Sequence, residues 1–339
     1  MHDVIIVGGS YAGMAAALQL LRARRDVKVI DAGERRNRFA DLSHGFLGQD
    51  GVGAAEIALT ARRQLEAYPT LSWVDGRAVT VSGKKDDFTV ATVDGELHHG
   101  RRLLFATGLE DRLPEIAGLA ERWGTAVFHC PYCHGYELDQ GKIGVIATGP
   151  MSSHQAEIVS DWGPVTFLTN GAVDLDAHTR RALEGRNVSI EATLIDRIDG
   201  VADVVLEDGR RLGFAGLFTA PFCVPSNSLA EEAGCELEET MMGLQIRTDE
   251  AKQTSVAGIS ACGDVARMPH SVTLAVADGA WAGAQVHRSL VWPDARVLRV
   301  GSLRAGRLLA MHRQSADKPT ANAAAVAAEA ICRNGVVTR

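Results

Sequence analysis

Two cysteines separated by two residues, with a histidine directly after them, are the residues of this chain best suited to redox chemistry. The run reads Cys130-Pro131-Tyr132-Cys133-His134. A C-x-x-C at the start of a helix brings two sulfurs within bridging distance, and the helix N-terminus favours a thiolate on one of them. Proline suits the first helical turn because its missing N–H needs no partner there. The motif therefore predicts a reversible disulfide between Cys130 and Cys133.

Three other interpretations of this pair are open. Cys-Pro-Tyr-Cys also occurs in glutaredoxins, which are small single domains that carry the motif after their first strand. A zinc site is chemically possible, although adjacent residues cannot easily all point at one tetrahedral metal and no second ligand pair follows; its ligands would be His129, Cys130, Cys133 and His134. The third interpretation is a structural disulfide or an inert packed pair.

The histidines beside the cysteines could move protons during thiol exchange. Imidazole has a reference pKa near 6.5, so it can take up and return a proton at neutral pH. We predict that His134 is the general acid–base. His129 is the weaker candidate, and its alternative interpretation is a solvated surface histidine.

Length and composition describe a globular protein with two domains. The chain has 339 residues, of which 46% are apolar and 23% are charged. A net charge of −7 gives no sign of nucleic acid or an anionic membrane as partner. No apolar run reaches the roughly 18 residues needed to span a bilayer. The sequence therefore predicts a protein that binds neither nucleic acid nor membrane.

The N-terminal residues and the cysteine content indicate a cytoplasmic protein. A buried strand is already under way at residue 3, where a signal peptide would still be running. In the cytoplasm, the six cysteines are expected to be thiols or catalytic groups rather than structural bridges.

The first thirty residues have the pattern of a dinucleotide-binding unit. An apolar strand ends in the loop Gly8-Gly9-Ser10-Tyr11-Ala12-Gly13, a helix follows, and the next strand ends at Asp31. This loop keeps the first and third glycines of G-x-G-x-x-G and has serine at the second. The helix N-terminus would face a pyrophosphate and Asp31 an adenosine ribose. Gly8, Ser10, Gly13 and Asp31 are therefore predicted cofactor contacts.

A second strand–turn–helix unit begins at residue 142, about 140 residues after the first. The repeat predicts an α/β fold with two Rossmann-like three-layer nucleotide-binding domains, the second inserted into the first. We place the outer domain at residues 1–112 and 244–295 and the inner domain at 113–243. Residues 296–339, which are rich in basic residues and alanine, are predicted to be a flexible or helical tail.

Four motifs in a fixed order resemble the low-molecular-weight thioredoxin reductase family of flavoproteins, over about residues 1–292. They are the glycine loop with Asp31, Ala106-Thr107-Gly108, the Cys130–Cys133 motif and Gly263-Asp264. The variants at these motifs, together with His44-Gly45-Phe46-Leu47-Gly48, look most like one branch of that family. That branch includes the flavin dithiol oxidases that close disulfides in natural products such as gliotoxin and holomycin.

The resemblance implies FAD as the cofactor and assigns roles around it. Asp264 would hold the ribityl chain or phosphate region, and residues 271–283 would form a helix whose N-terminus faces the flavin ring. Cys133 would lie against the flavin, and Cys130 would exchange with the substrate. Thr107, Gly108 and Gly263 complete the cofactor contacts. The resemblance also implies a homodimer. His134 departs from the thioredoxin reductases, which usually have an acid there.

Use of NADP(H) is uncertain, because the second loop departs from the family more than the first. It reads Ala147-Thr148-Gly149-Pro150-Met151-Ser152 where G-x-G-x-x-A would bind NADPH. Pro150 removes a backbone N–H near the expected phosphate. The basic residues that would hold a 2′-phosphate are replaced by Thr169-Asn170-Gly171, and Arg180 and Arg181 come too late. The pattern favours loss or weakening of NADPH binding.

The leading hypothesis is therefore FAD-dependent oxidation of a small-molecule dithiol to a disulfide, with oxygen as the electron acceptor. The first alternative is an NADPH-dependent disulfide reductase that acts on a disulfide substrate such as a thioredoxin-like protein. The second is a flavin-bearing redox sensor that signals through the Cys130–Cys133 state and binds a partner through its basic tail.

Overall fold

Short buried strands alternate with helices along the chain, in line with the predicted α/β class. The computed structural model describes residues 1–293. Its helices are α1 (Tyr11–Arg22), α2 (Ala54–Glu66), α3 (Pro131–His134), α4 (Met151–Val159), α5 (Ala177–Gly185), α6 (Leu229–Glu232) and α7 (Val272–Val291). Short 3-10 turns cover Arg36–Phe39, Ala120–Arg122, Tyr136–Leu138 and Asp264–Ala266.

The strands form five sheets. They are β1 (His2–Val7), β2 (Val27–Asp31), β3 (Leu42–Ser43), β4 (Val52–Gly53), β5 (Leu71–Asp75), β6 (Ala78–Lys84), β7 (Asp87–Thr92), β8 (Leu97–Phe105), β9 (Leu109–Arg112), β10 (Val127–Phe128), β11 (Ile143–Ile146), β12 (Val165–Leu168), β13 (Ser189–Glu191), β14 (Ile195–Asp199), β15 (Asp203–Leu206), β16 (Arg211–Gly213), β17 (Gly216–Thr219), β18 (Phe222–Pro225), β19 (Leu237–Thr240), β20 (Gly243–Ile246) and β21 (Ile259–Ala261).

The largest sheet has seven strands and contains the first predicted dinucleotide unit. Its order is β5-β2-β1-β8-β7-β6, and β21 also pairs with β8. Strands β5, β2, β1, β8 and β21 run parallel to their neighbours in this part of the sheet. Ligands of open parallel sheets bind beyond the carboxyl ends of the strands. The loops after β1, β8 and β21 therefore meet at the edge where a cofactor would bind.

Helices α1 and α7 cover one face of this sheet, and their backbones approach each other very closely. A Cβ atom on Gly279 of α7 would lie 2.0 Å from the carbonyl oxygen of Ala12 in α1, and one on Gly283 would lie 2.5 Å from that of Ala16. Only glycine permits such an approach of two helix backbones. The glycines thus bring the N-terminus of α7 to the same edge of the sheet as the first loop.

A five-stranded parallel sheet contains the second predicted unit. Its order is β10-β17-β11-β12-β13, and helices α4 and α5 pack against it. A three-stranded antiparallel sheet, β14-β15-β16, closes a separate core around Val204 and Leu217. We call these two sheets and their helices the second lobe. The seven-stranded sheet and the elements packed on it are the first lobe.

The four-stranded sheet β19-β20-β18-β9 packs with the first lobe. Cys223 of β18 and Ile246 of β20 share a buried core with Ile5 and Phe105 of the large sheet. These contacts favour a return of the chain to the first lobe at β18, before the predicted boundary after residue 243. The domain bounds stay a prediction, and the proposed tail at 296–339 lies outside the described residues.

Within residues 1–293, no helix has the length and apolar character needed to cross a bilayer.

Candidate active site

A cavity of about 470 Å³ lies at the carboxyl edge of the large sheet, where the two lobes meet. The first lobe contributes the N-terminus of α1, the loop after β8, the turn after β21 and the N-terminus of α7. The second lobe contributes the segment from β10 to α3. Of the predicted site residues, this cavity brings together Ser10, Thr107, Gly108, Gly263, Asp264, Cys133 and His134, and also His129.

The first glycine loop is folded tightly against the loop after β8. Gly8 has φ +105°, and a Cβ there would lie 2.3 Å from the carbonyl oxygen of Ala106. A Cβ on Gly13 would lie 1.9 Å from the carbonyl oxygen of Gly8. The two glycines shape the loop from behind while Ser10 lines the cavity. Such a loop leaves the backbone N–H groups of the α1 N-terminus available for a phosphate.

Asp31 lies at the end of β2 beside this loop, as predicted. Its Oδ1 accepts a hydrogen bond from the backbone N–H of Gly9, at 3.0 Å. The carboxylate therefore supports the loop, and it is not among the residues that line the cavity.

Arg36, a largely buried arginine that is not among the predicted site residues, lies in the same cavity. Arg36 donates from Nε and Nη2 to the carboxylate of Asp111 and from Nη1 to Asp264 Oδ2, at 3.0 Å. Burial alone would lower the pKa of Arg36, but the two carboxylates outweigh it and raise that pKa. Burial would likewise raise the pKa of Asp111, whereas the Arg36 hydrogen bonds hold it below its usual range. In sequence, Arg36 looks like one member of a solvated basic run.

Two buried polar atoms of the cavity wall lack a partner and fit a polar cofactor. Asp264 Oδ1 and His270 Nδ1 have no hydrogen-bond partner in the described structure. Unpaired buried groups are costly, so a bound group that supplies the missing partners would be stabilised here. Beside them, Ser271 Oγ caps α7 by accepting from the backbone N–H of Leu274, at 3.2 Å. The predicted helix at 271–283 is present and continues to Val291.

The redox pair lies beside this cavity. Cys130 and Cys133 form a disulfide with Cα atoms 5.4 Å apart, and Pro131 occupies the first turn of α3. Cys133 lines the cavity, whereas Cys130 does not. The three other described cysteines are buried thiols, and burial raises the pKa of each; they are Cys223, Cys235 and Cys262. They are therefore poor nucleophiles.

The two candidate histidines differ in environment. The imidazole of His134 stacks on Phe128 with ring centroids 4.3 Å apart, and burial lowers its pKa below 6.5. Burial and then the charge of Arg36 lower the pKa of His129 to about 3. His129 therefore cannot retain a proton near neutral pH. Across residues 1–293, no group of three or more His, Cys, Asp or Glu side chains is arranged to hold a metal ion.

In the loop of the second strand–turn–helix unit, residues 147–152, backbone N–H groups are hydrogen-bonded to a side chain of the same loop. The backbone N–H groups of Thr148 and Gly149 donate to Ser152 Oγ, at 2.9 and 3.3 Å, and Ser152 is fully buried. Two N–H groups on the side where a nucleotide phosphate would bind are thus already satisfied within the loop. After β12, where a cation would hold a 2′-phosphate, Asn170 carries no charge, and its Oδ1 accepts from the N–H of Ile195 at 2.8 Å. Arg180 and Arg181 are exposed on α5.

Comparisons with known proteins agree with these features. A sequence profile described as pyridine nucleotide-disulphide oxidoreductase matches residues 2–279. The chain belongs to this family. It is 31% identical over 314 residues to "Thioredoxin reductase tcpT" of Claviceps purpurea, which covers 85% of this chain and 94% of that protein.

Solved structures show the same fold. An oxidoreductase from Agrobacterium tumefaciens is 57% identical, with a TM-score of 0.85 over 86% of this chain and 99% of that chain. The protein HlmI is 32% identical, with a TM-score of 0.80 over 93% of this chain and 98% of that chain. The family resemblance and the fold with two Rossmann-like domains are thereby confirmed.

Membership makes the protein a thioredoxin reductase-like disulfide oxidoreductase, and it implies a flavin cofactor, as predicted. The tight first loop and the unpaired atoms of Asp264 and His270 fit that cofactor. The family commonly also uses NADPH, and the residues of the second loop do not fit it.

Proposed function

We propose that the protein oxidises a small-molecule dithiol to a disulfide, with molecular oxygen as the final electron acceptor. The observation that carries this direction of electron flow is the second loop, whose N–H groups are occupied by Ser152 Oγ. With no nicotinamide to supply electrons, the dithiol is the donor.

Cys130 and Cys133 have different roles in the thiol–disulfide exchange. A substrate thiolate attacks Cys130 Sγ, the Cys130–Cys133 bond breaks, and Cys133 leaves as a thiolate. The second substrate thiol loses its proton to His134 and attacks the mixed disulfide, which releases the oxidised substrate and the Cys130 thiolate. His134 is suited to this task because its lowered pKa leaves it neutral at pH 7.

We propose that FAD is held by Gly8, Ser10, Gly13, Asp31, Thr107, Gly108, Gly263 and Asp264. When bound, it supplies the acceptor for the two electrons of the reduced cysteine pair and passes them to oxygen. Arg36 orients the Asp264 carboxylate toward the cavity through its 3.0 Å hydrogen bond. The homodimer stays a prediction of the resemblance, and the cytoplasmic location stays a prediction of the N-terminal residues and the cysteine content.

The alternative function is an NADPH-dependent disulfide reductase. It is favoured by the family description and by the reductase name of the fungal relative. Electrons would then flow from nicotinamide to Cys130–Cys133 and onward to a thioredoxin-like protein or a small disulfide.

An anaerobic absorbance titration of the flavin-loaded protein separates the two functions. We expect dithiothreitol to bleach the flavin, NADPH and NADH to leave it oxidised at the same concentration, and air to restore the colour with formation of hydrogen peroxide. Bleaching by NADPH within seconds would show that the protein is a reductase and that the inference from Ser152 is wrong.

A further inference from the structure

A buried ion pair lies beside the turn that follows β21. Lys252 Nζ is 2.7 Å from Asp278 Oδ1, and the two side chains are 14% and 9% exposed. Asp278 belongs to α7, and Lys252 to the loop between β20 and β21. Neither residue lines the cavity. The pair therefore does not itself face a cofactor in that cavity, and its place in the fold has to be explained by what it holds.

The second oxygen of the carboxylate binds the backbone of the turn. Asp278 Oδ2 accepts a hydrogen bond from the backbone N–H of Gly263 at 2.9 Å, in a buried position. Lys252 Nζ also donates to the carbonyl oxygen of Ala266, at 3.4 Å. Gly263 directly precedes the turn Asp264–Ala266, and Ala266 ends it. The two charged side chains thus hold the backbone of the turn at both ends.

Between these two points lies the carboxylate that lines the cavity. Asp264 directly follows Gly263, and its buried Oδ1 has no hydrogen-bond partner within residues 1–293. Its Oδ2 accepts from Arg36 Nη1 at 3.0 Å. Arg36 therefore restrains the side chain of Asp264, whereas the Lys252–Asp278 pair restrains the backbone that carries it.

The loop that carries the lysine is itself held in an uncommon conformation. Lys252 has φ +62°, in the left-handed region that costs free energy for a residue with a side chain. Its carbonyl oxygen accepts from the backbone N–H of Ala261 in β21, at 3.1 Å. Trp281 Nε1, one turn after Asp278 in α7, donates to the carbonyl oxygen of Glu250 at 2.8 Å. The loop is thus fixed to both β21 and α7, and these contacts keep the lysine against its partner.

We propose that Lys252 and Asp278 are positioning residues, which hold the Gly263–Asp264 turn in the conformation that binds FAD. This inference rests on the FAD site proposed above. A buried carboxylate is costly unless it is paired and hydrogen-bonded, and here Lys252 supplies the charge and Gly263 the hydrogen bond. Without the acceptor, the backbone at Gly263 is released and Asp264 loses its fixed place in the cavity wall.

Two double variants separate this positioning from the effect of the charges. Lys252→Met with Asp278→Asn removes both charges but leaves an amide oxygen that can accept from the Gly263 N–H. Lys252→Met with Asp278→Leu removes both charges and the acceptor. Each full-length, flavin-loaded protein is diluted in steps, and the rise in flavin fluorescence as FAD leaves gives the dissociation constant.

We expect the double variant without the acceptor to bind FAD about tenfold more weakly than the one that keeps it, which corresponds to roughly one hydrogen bond. Adding Asp264→Ala to it should weaken binding little beyond Asp264→Ala alone, because the pair acts through that residue. A merely structural role would lower the thermal midpoint instead, and its effect on binding would add to that of Asp264→Ala.

Arg247→Met is the control for these variants. It removes one member of an exposed ion pair with Glu236, which has the same 2.7 Å separation of nitrogen and oxygen. Because exposed pairs contribute little, the FAD dissociation constant should stay at the wild-type value. If the double variant without the acceptor does not fold, Lys252→Met alone decides. It leaves the buried carboxylate without its counter-charge, so it should weaken FAD binding, and the addition of Asp278→Asn should restore it.

Equal FAD dissociation constants in the two double variants would overturn the positioning role, and so would full additivity with Asp264→Ala. In the fallback series, wild-type affinity in Lys252→Met would do the same. Failure of the proposed FAD site looks different, because Asp264→Ala would then bind FAD as tightly as the wild type does.

Discussion

His134 and His129 show how a single side chain's surroundings decide its use at this site. Both were candidates for the acid–base on sequence position alone, and both lie in the cavity. Arg36 lies close enough to lower the pKa of His129 in addition to burial, whereas His134 is lowered chiefly by burial and is opposed by Glu137. Of the two, His134 is the imidazole that can exchange a proton near neutral pH.

The lowered pKa of His134 makes a prediction about pH. A base with a pKa below 6.5 is neutral at pH 7 and becomes protonated as the pH falls through its pKa. The bleaching rate, divided by the thiolate fraction of dithiothreitol at each pH, should therefore be level near pH 7 and fall on the acid side, below pH 6.5. His134→Gln should lower the plateau about 100-fold and remove this inflection. Stopped-flow rates between pH 5 and 8, a range in which histidine titrates, measure both effects.

His154→Gln is the control for that series, because His154 is an exposed imidazole on α4. It should keep both the plateau and the inflection. An inflection that persists in His134→Gln would assign the titration to another group.

The sequence could reveal some of these residues and not others. Cys130, Cys133 and His134 lie within five consecutive residues, so their chemistry can be predicted from the sequence without knowledge of the fold. Arg36 and His44 reach the cavity through contacts with residues far away in the chain, Asp264 and Glu137 respectively. Such partners are set by tertiary packing, which a local pattern does not record.

At the scale of elements, the last residue of the loop distinguishes the two strand–turn–helix units. Gly13 in the first unit allows the loop to close on Gly8, whereas the corresponding Ser152 in the second fills the loop with its hydroxyl. In the sequence, Pro150 and the missing cations are the residues that favour loss or weakening of NADPH binding. The structure adds the hydrogen bonds that Ser152 Oγ accepts within the loop, which cannot be predicted from the presence of a serine at that position.

Gly13→Ala should abolish flavin retention. Its Cβ would lie 1.9 Å from the Gly8 carbonyl oxygen, so the loop must open and its N–H groups must turn away from the cofactor. The ratio of flavin absorbance to protein absorbance after purification measures the loss, and circular dichroism checks that the chain is folded. Gly149→Ala, in the second loop, is the matched control, because no atom lies within 4 Å of a Cβ there. Full flavin content in folded Gly13→Ala would contradict the assigned role of the first loop.

The strands that could not be predicted from the sequence share one physical property. Strands such as β16 (Arg211–Gly213) and β19 (Leu237–Thr240) are short and largely polar, so they lack the buried apolar run that identified β1 or β11. They are stabilised by pairing with neighbours in their antiparallel sheets. Helix α7 was predicted to residue 283 and runs to Val291. Its glycines, which weaken an isolated helix, are required for packing against α1.

At the scale of the whole molecule, the site depends on the alignment of the two lobes. Gly124, just before β10 in the second lobe, has φ +80°, and a Cβ there would lie 2.6 Å from the Cβ of Phe39 in the first lobe. Both residues line the cavity. This close contact sets the spacing between the redox pair and the cofactor edge of the large sheet.

Gly124→Ala should therefore push the lobes apart while leaving each one folded. We expect flavin content near wild type and bleaching by dithiothreitol slowed about tenfold or more, because a displacement of about 1 Å can cost roughly 100-fold in a positioned reaction. Gly209→Ala is the control, since Gly209 has a similar φ of +85° but no atom within 4 Å of a Cβ. Equal rates in the two variants would show that the contact does not govern electron transfer.

The different positions of the two redox sulfurs have a consequence for which molecules can be oxidised. Cys133 lines the cavity, Cys130 does not, and Tyr132 between them is 73% exposed. One cysteine of the disulfide is thus in contact with the cavity, while the other lies outside its lining. The dithiol substrate, which exchanges at Cys130, and the final electron acceptor do not have to bind in the same cavity. The cavity volume therefore sets no upper limit on the size of the substrate. We expect a dithiol carried by a large molecule to be oxidised as readily as a small dithiol, provided that one of its sulfurs can reach Cys130 Sγ.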